Sequence, residues 1–496
     1  MTARPTILLL GLAALGAAPA GAQEYLVRFD TRVQSAAYRG VKLDSIPVGS
    51  VDTSGSGGLV TPDGYAVTCV RGRTHCSFFR EGAVRRGGPL TSTVDLTAWG
   101  FGLRGVSLHL NGRLGVDLGS SAVWPGSKPA LQLNEGYGEY ASARLTGRLG
   151  RQVERSRLGY TGYDGARLSW RFPSAGLAVI GYGGFGLARA TALPVTSDVL
   201  NPLDEFQPRQ RQLLAGAAVE WQTTRVDARI DYLREVDRDP RNLVSERAAL
   251  SATLRPFTGW SLTGGTEYDL AYGWWGSSDL TLRHTRSWGG AAAGVRRYRP
   301  YFDLWTIWGV FSPVPYNAMN GSLWVTPLHG LTLRVGGERY RYDDTETNSP
   351  LVSEEKDGWR WNTGLGYALS DAWSIDGGYH AEFGPGAASQ GGEGSLSWRP
   401  SRAVSLTAEG GHLVRPLEFR NEDPALTWYG VSLDVRPNDR LRLSVAATRY
   451  DENRRRGDAS SIDWSQTRLR AGLSWVFGSS ADQMPLPPAI RRERGR

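Results

Sequence analysis

The sequence predicts an all-β fold: a transmembrane antiparallel β-barrel of about 22 strands, within a range of about 18 to 22, and without a plug domain. Three observations predict it. Glycine and aromatic residues are abundant while mean hydropathy is low. Apolar and polar residues alternate through one segment after another. The turns between those segments are alternately short and long.

Of the 496 residues, 63 are glycine, roughly one in eight, against about 7% in an average protein. With 18 Trp, 20 Tyr and 13 Phe the chain is far too aromatic to be intrinsically disordered. Mean hydropathy is −0.34 and hydrophobic residues make up 40%, too few for a bundle of membrane helices. A barrel wall is apolar only on alternate residues, which keeps that mean low. Two cysteines exclude a disulfide-rich scaffold and a Cys-ligated cluster. The charge is 57 basic against 49 acidic, net +8. Lys42, Lys128 and Lys356 are the lysines, so 54 of the basic residues are arginine. Either a forked recognition of anionic groups or a GC-rich genome produces that bias.

The chain reads as three parts. Residues 1–22 form a secretory signal peptide: Arg4, the apolar run Ile7 to Ala18, then the small residues Ala20-Gly21-Ala22 at a cleavage site. Residues 23–477 form the barrel. Residues 478–496 form a Pro/Arg-rich periplasmic tail. The address and the fold together place the protein in the outer membrane of an envelope of Gram-negative type.

The alternation is plain in single strands. Val226, Ala228, Ile230 and Tyr232 share one face, and Arg225, Asp227, Arg229 and Asp231 the other. Leu250, Ala252 and Leu254 oppose Ser251, Thr253 and Arg255, while Leu441, Leu443 and Val445 oppose Arg442 and Ser444. Period two with charge on one face means that one side meets lipid and the other water. Short turns fall near 173–176, 223–224, 256–259, 287–289, 327–330, 370–372, 400–402 and 437–439. Long charged segments fall at 189–210, 237–243, 343–357, 416–424 and 451–461. Outer-membrane barrels have this asymmetry, with short periplasmic turns and long outer loops. The strand pattern is ambiguous near 39–90 and 145–165.

The last strand carries its own signal. Arg470, Gly472, Trp475 and Phe477 give the order polar, Gly, aromatic, aromatic. It resembles the terminal-strand signal by which the barrel-assembly machinery recognises its clients.

A second patch resembles a family. Leu149-Gly150-Arg151-Gln152, followed by Tyr163-Asp164-Gly165-Ala166-Arg167-Leu168, is similar to outer-membrane porins of the alginate-export and related substrate-specific type. In those, the first strand rises into an inward loop and the second descends. The resemblance covers about 25 residues and implies that Arg151 and Arg167 line a pore. By alternation, Arg171, Asp227, Arg229, Asp231, Arg255, Arg283, Arg334 and Arg442 join them as pore-lining residues.

Searches for catalytic chemistry find nothing. The six histidines, at 75, 109, 284, 329, 380 and 412, have no ligand spacing, and no nucleotide, haem or hydrolase motif is present. No catalytic residue, cofactor or metal is expected. Cys69 and Cys76 lie in the long first loop of an exported chain, and a small disulfide clasp is expected. A redox or metal pair is the alternative, which the six-residue spacing supports poorly. Tyr301 to Tyr316 is the most aromatic segment, either an inward track for a solute or an outer aromatic girdle.

The leading expectation is a porin-like channel, not an enzyme, for passive diffusion of small hydrophilic, anionic solutes. One alternative is a structural barrel sheath around a periplasmic partner such as a multihaem cytochrome. A weaker one is an outer-membrane enzyme, for which no Ser/His pair is found at the outer girdle. The expected partners are outer-membrane lipid, the barrel-assembly machinery, small solutes and a periplasmic protein reached through the tail, but no nucleic acid.

Overall fold

Twenty-two strands close into one antiparallel barrel in a computed structural model of the chain. The structure describes residues 24–479 apart from 55–56, 120–129, 188–211, 238–242, 300–314, 344–355, 385–386, 415–424 and 454–463. The signal peptide, nearly all of the tail and most of the aromatic segment at 301–316 lie outside the described residues.

The chain begins with β1 (Glu24–Pro47), the short pairs β2 (Asp52–Thr53), β3 (Leu59–Val60) and β4 (Val67–Thr68), and β5 (His75–Gly87). The wall continues with β6 (Pro89–Trp99), β7 (Val106–Asp117), β8 (Ala130–Ala141), β9 (Leu145–Ser156), β10 (Gly159–Phe172), β11 (Leu177–Gly186), β12 (Leu213–Gln222), β13 (Val226–Val236) and β14 (Leu243–Leu254). Then come β15 (Trp260–Asp269), β16 (Trp274–Arg286), β17 (Gly289–Tyr298), β18 (Tyr316–Leu328), β19 (Leu331–Tyr342), β20 (Asp357–Ala368) and β21 (Trp373–Gly384). It ends with β22 (Ala387–Trp398), β23 (Val404–Val414), β24 (Ala425–Asn438), β25 (Leu441–Asn453) and β26 (Trp464–Gly478).

Closure is made by β1, which pairs with β26 on one side and β6 on the other, so β1 and β6 to β26 form the ring. A closed ring leaves no unpaired edge in the hydrocarbon, which an exposed strand could not tolerate. Every short turn read from the sequence joins two wall strands at the periplasmic end.

Alternation fixes the faces. On β10, Leu168, Trp170 and Phe172 are exposed, and Ser169 between them is buried. On β19, Leu333 and Val335 are exposed on either side of Arg334. In a barrel the exposed apolar set is the lipid face and the intervening residues face the lumen. The outward Trp475 and Phe477 rings lie 4.7 Å apart at the periplasmic end of β26, where a bilayer interface favours them.

Two regions leave the wall, and they are the two that the sequence pattern left ambiguous. β1 pairs with β26 as far as Ser35 and then continues, from Ala36 to Pro47, as a hairpin with β5. The Cys69–Cys76 disulfide ties the loop closing this hairpin to the start of β5, where Cys76 pairs with Ile46, so one of the two cysteines lies in the strand and not in the loop. The second departure lies between β9 and β10. Pairing of β8 with β9 stops at Gly136↔Arg151, and pairing of β10 with β11 stops at Tyr163↔Gly186. β9 and β10 still pair with each other up to Ser156↔Gly159. Residues 152–161 are therefore a hairpin without wall neighbours, while the Gly162 carbonyl still accepts from the Leu187 amide at 2.9 Å.

Candidate functional site

That hairpin folds into the lumen. Its point of departure is a row of glycines in register: Gly150 on β9, Gly165 on β10 and Gly184 on β11. Gly150 has φ +132, and a Cβ there would sit 2.3 Å from the Gly136 carbonyl oxygen. A Cβ on Gly165 would sit 2.0 Å from that of Gly183. Only glycine permits so close a backbone approach.

The tip reaches lumen-facing residues of strands several places around the ring. The Arg157 guanidinium donates to Asp279 Oδ1 on β16 at 2.5 Å and to the Ser277 carbonyl at 3.2 Å, with Glu267 Oε1 of β15 at 3.8 Å. Arg247 on β14, itself buried, donates to the Leu158 carbonyl at 3.3 Å. Leu158 is buried with Tyr163, Ile180, Tyr182, Leu214 and Leu233. Ile180, Leu214 and Leu233 stand at lumen positions where a water-filled barrel places polar residues. Burial under the hairpin accounts for them, at about 1.5–3 kcal/mol for each side chain removed from water.

A charge network binds the hairpin to the wall. The Glu154 carboxylate on β9 accepts from Arg167 at 2.9 Å and from Arg229 on β13 at 2.7 Å. Arg229 also donates to Asp231 at 2.7 Å and to Glu220 of β12 at 2.5 Å. The side chain of Glu154 is 6% exposed and that of Asp231 fully covered. Buried charges of this kind persist only when paired and hydrogen-bonded.

The other residues expected to line a pore fall into distinct groups. Arg171, Arg283 and Arg334 lie at lumen positions without a carboxylate partner among the described residues, and the Arg283 guanidinium stacks 4.5 Å over the Trp324 ring. Arg442 also faces the lumen but is paired with Asp434. Asp227 faces it at the start of β13, in register with Gln222 and Thr253. Arg255 lies one residue beyond β14, in the periplasmic turn.

Arg151 requires a correction. It is in register with Asp164, on the face of the 70% exposed Leu149 and the exposed Leu168, so it points to lipid. Its guanidinium forks onto Asp164 at 2.7 and 2.9 Å and reaches the Leu133 carbonyl at 3.1 Å. The resemblance matched residue type, whereas strand parity decides the face. Sequence reasoning missed Glu154, Arg157 and Arg247, whose partners are remote in the chain. The available signal was the broken alternation at Val179-Ile180, Leu213-Leu214 and Tyr232-Leu233.

No family model matches the chain, and no curated protein matches it by sequence. Solved structures do match. The ferric enterobactin receptor PfeA of Pseudomonas aeruginosa superposes with a TM-score of 0.53 at 10% identity, covering 91% of this chain and 81% of that one. This is the fold of an outer-membrane β-barrel. OccD3 of the same organism matches at 0.41 with 8% identity over 93% of both chains. OccAB1 of Acinetobacter baumannii matches at 0.39 with 9% identity, covering 92% of this chain and 96% of that one. At such identities the likeness is one of fold, and the chemistry of this barrel rests on its own lumen residues.

Proposed function

We propose that this barrel is an outer-membrane channel for passive diffusion of small hydrophilic solutes, and that the β9–β10 hairpin sets its narrowest section. The observation that carries this reading is a polar lumen crossed by a hairpin of the same chain, latched at Glu154 and Arg157. Pore width and ring charge determine selectivity in such channels. A bore crossed in this way does not suit a sheath, which needs an open lumen around a folded partner.

The preference for anions is the finer part of the proposal. Carboxylates neutralise Arg167, Arg229 and Arg442, so the anion bias falls to Arg171, Arg283 and Arg334, offset in part by the lumen carboxylates of Asp227, Glu393 and Glu409. Fixed charge acts within a Debye length, about 8 Å at physiological salt, so the bias is moderate and fades as salt rises. Planar-bilayer recording in a salt gradient tests both parts. The expected result is discrete conductance with a reversal potential on the anion side. A folded barrel that never conducts removes the channel reading, and a cation-side potential removes the anion preference alone.

A further inference from the structure

The barrel also carries a concavity of about 890 Å³ on its outer wall across β14 to β20. Two cross-strand rows make it. One runs Ala252–Gly264–Leu280–Val295–Met319–Arg339, each residue in register with the next. The other runs from Leu250 through Thr266 and Ser278 to Arg297, Asn317 and Arg341. The small residues Ala252, Gly264 and Ser278 lower the floor between the outward Leu250, Leu254 and Leu280.

The two ends of this groove differ in chemistry. Arg297 and Arg341 are each one residue from the outer end of their strands, β17 and β19, and Arg339 is two further in. Leu254, at the other end, is the last residue of β14 at its periplasmic side. Strands tilted by about 35–45° make such a row descend obliquely through the membrane. The three guanidiniums face two carboxylates. Arg297 pairs with Asp343 at 2.8 Å and Arg339 with Asp357 at 3.6 Å, leaving Arg341 without a carboxylate partner among the described residues.

We infer that this groove binds a phosphorylated lipid of the outer leaflet, its phosphate at Arg339 and Arg341 and an acyl chain along Met319, Val295 and Leu280 toward Ala252. Guanidinium forks match phosphate oxygens, and basic residues at a membrane surface attract anionic headgroups. The apolar floor beneath them selects a ligand with chains over a soluble anion. The inference is independent of what the lumen conducts.

Native mass spectrometry of the full barrel in mild detergent tests it, with phosphorylated lipid A as the probe and phosphatidylethanolamine as the zwitterionic control. The wild type should bind lipid A in preference, and the double variant Arg339→Gln/Arg341→Gln should bind it about tenfold more weakly or worse. Ala252→Leu, which fills the apolar end and leaves every charge in place, should also weaken binding. Arg449→Gln, on the outward face of β25, should not. All variants are first checked for heat-modifiable mobility, so that loss of folding is not read as loss of binding. Equal binding of the two lipids by the wild type, or lipid A binding unaltered in the folded double variant, would overturn the inference.

Discussion

Glu154 and Arg229 are 75 residues apart in the chain and 2.7 Å apart across the lumen. The pair joins a hairpin detached from the wall to a strand on the wall, and Arg167 holds the same carboxylate from the other side. Glu154→Gln keeps the shape and removes the charge. Removing one partner of a buried pair costs about 3–5 kcal/mol. The variant should lose its heat-modifiable form at a lower temperature than wild type, and its reversal potential should move toward anions because two guanidiniums lose a counter-charge. If both measurements match wild type, the latch has no part in stability or selectivity.

The glycine row should be intolerant of side chains. Gly165→Ala places a methyl where the Gly183 carbonyl oxygen already lies. The hairpin then cannot fold inward without displacing β11. The expected outcome is a noisier, larger conductance or a reduced yield of folded barrel. A variant that assembles and conducts like wild type would show that the close approach is not required.

Arg151 and Arg171 separate the lipid face from the lumen. Arg171→Glu together with Arg334→Glu should move the reversal potential toward cations. Arg151→Gln should leave it unchanged. Asp164→Ala, which strands the Arg151 charge against lipid, should destabilise the barrel; an outward arginine costs about 2–4 kcal/mol at the midplane and less near the interfaces. An altered reversal potential in Arg151→Gln would put that side chain in the lumen and contradict its assignment to the lipid face.

Much of this architecture was legible in the sequence because a barrel wall obeys two local rules, period two and alternating turn length. Leu441 to Thr448, or Val226 to Tyr232, needs no distant partner to declare its two faces. The sequence pattern is ambiguous where strands run on without a membrane reason. β1 runs on for twelve residues beyond the wall, from Ala36 to Pro47, in a hairpin with β5 whose register shifts between Arg39 and Val41, and only Val41 to Asp44 alternate cleanly. Residues 152–161 likewise pair normally with each other while leaving both neighbours. Parity places Glu154 and Arg229 inside without pairing them, and it places Arg157 in a turn without indicating Asp279, 122 residues on. The lumen latch is a tertiary fact that strand periodicity does not encode.

Assembly should depend on the end of β26. Its Trp475 and Phe477 are in register with Phe29 and Val27 on the closing strand β1. Replacing both by Ala removes the interfacial anchors and the aromatic edge at the seam. A low yield of heat-modifiable barrel is expected, with degradation in the periplasm. Deleting residues 480–496 should be mild. Should the tail deletion abolish assembly while the double Ala variant inserts normally, the end of the barrel would have to be placed elsewhere.

The β9–β10 hairpin is proposed to lie across a conducting lumen and to set its width. Single-channel conductance in planar bilayers tests it most directly, comparing wild type with a variant whose residues 153–161 are replaced by Gly-Gly. Gln152 and Gly162 then join at the height where the wall pairing ends, so the ring itself is untouched. A folded barrel with severalfold larger conductance and weaker ion preference is expected. Equal conductance in the two proteins, both shown to be folded by heat-modifiable mobility, would contradict it.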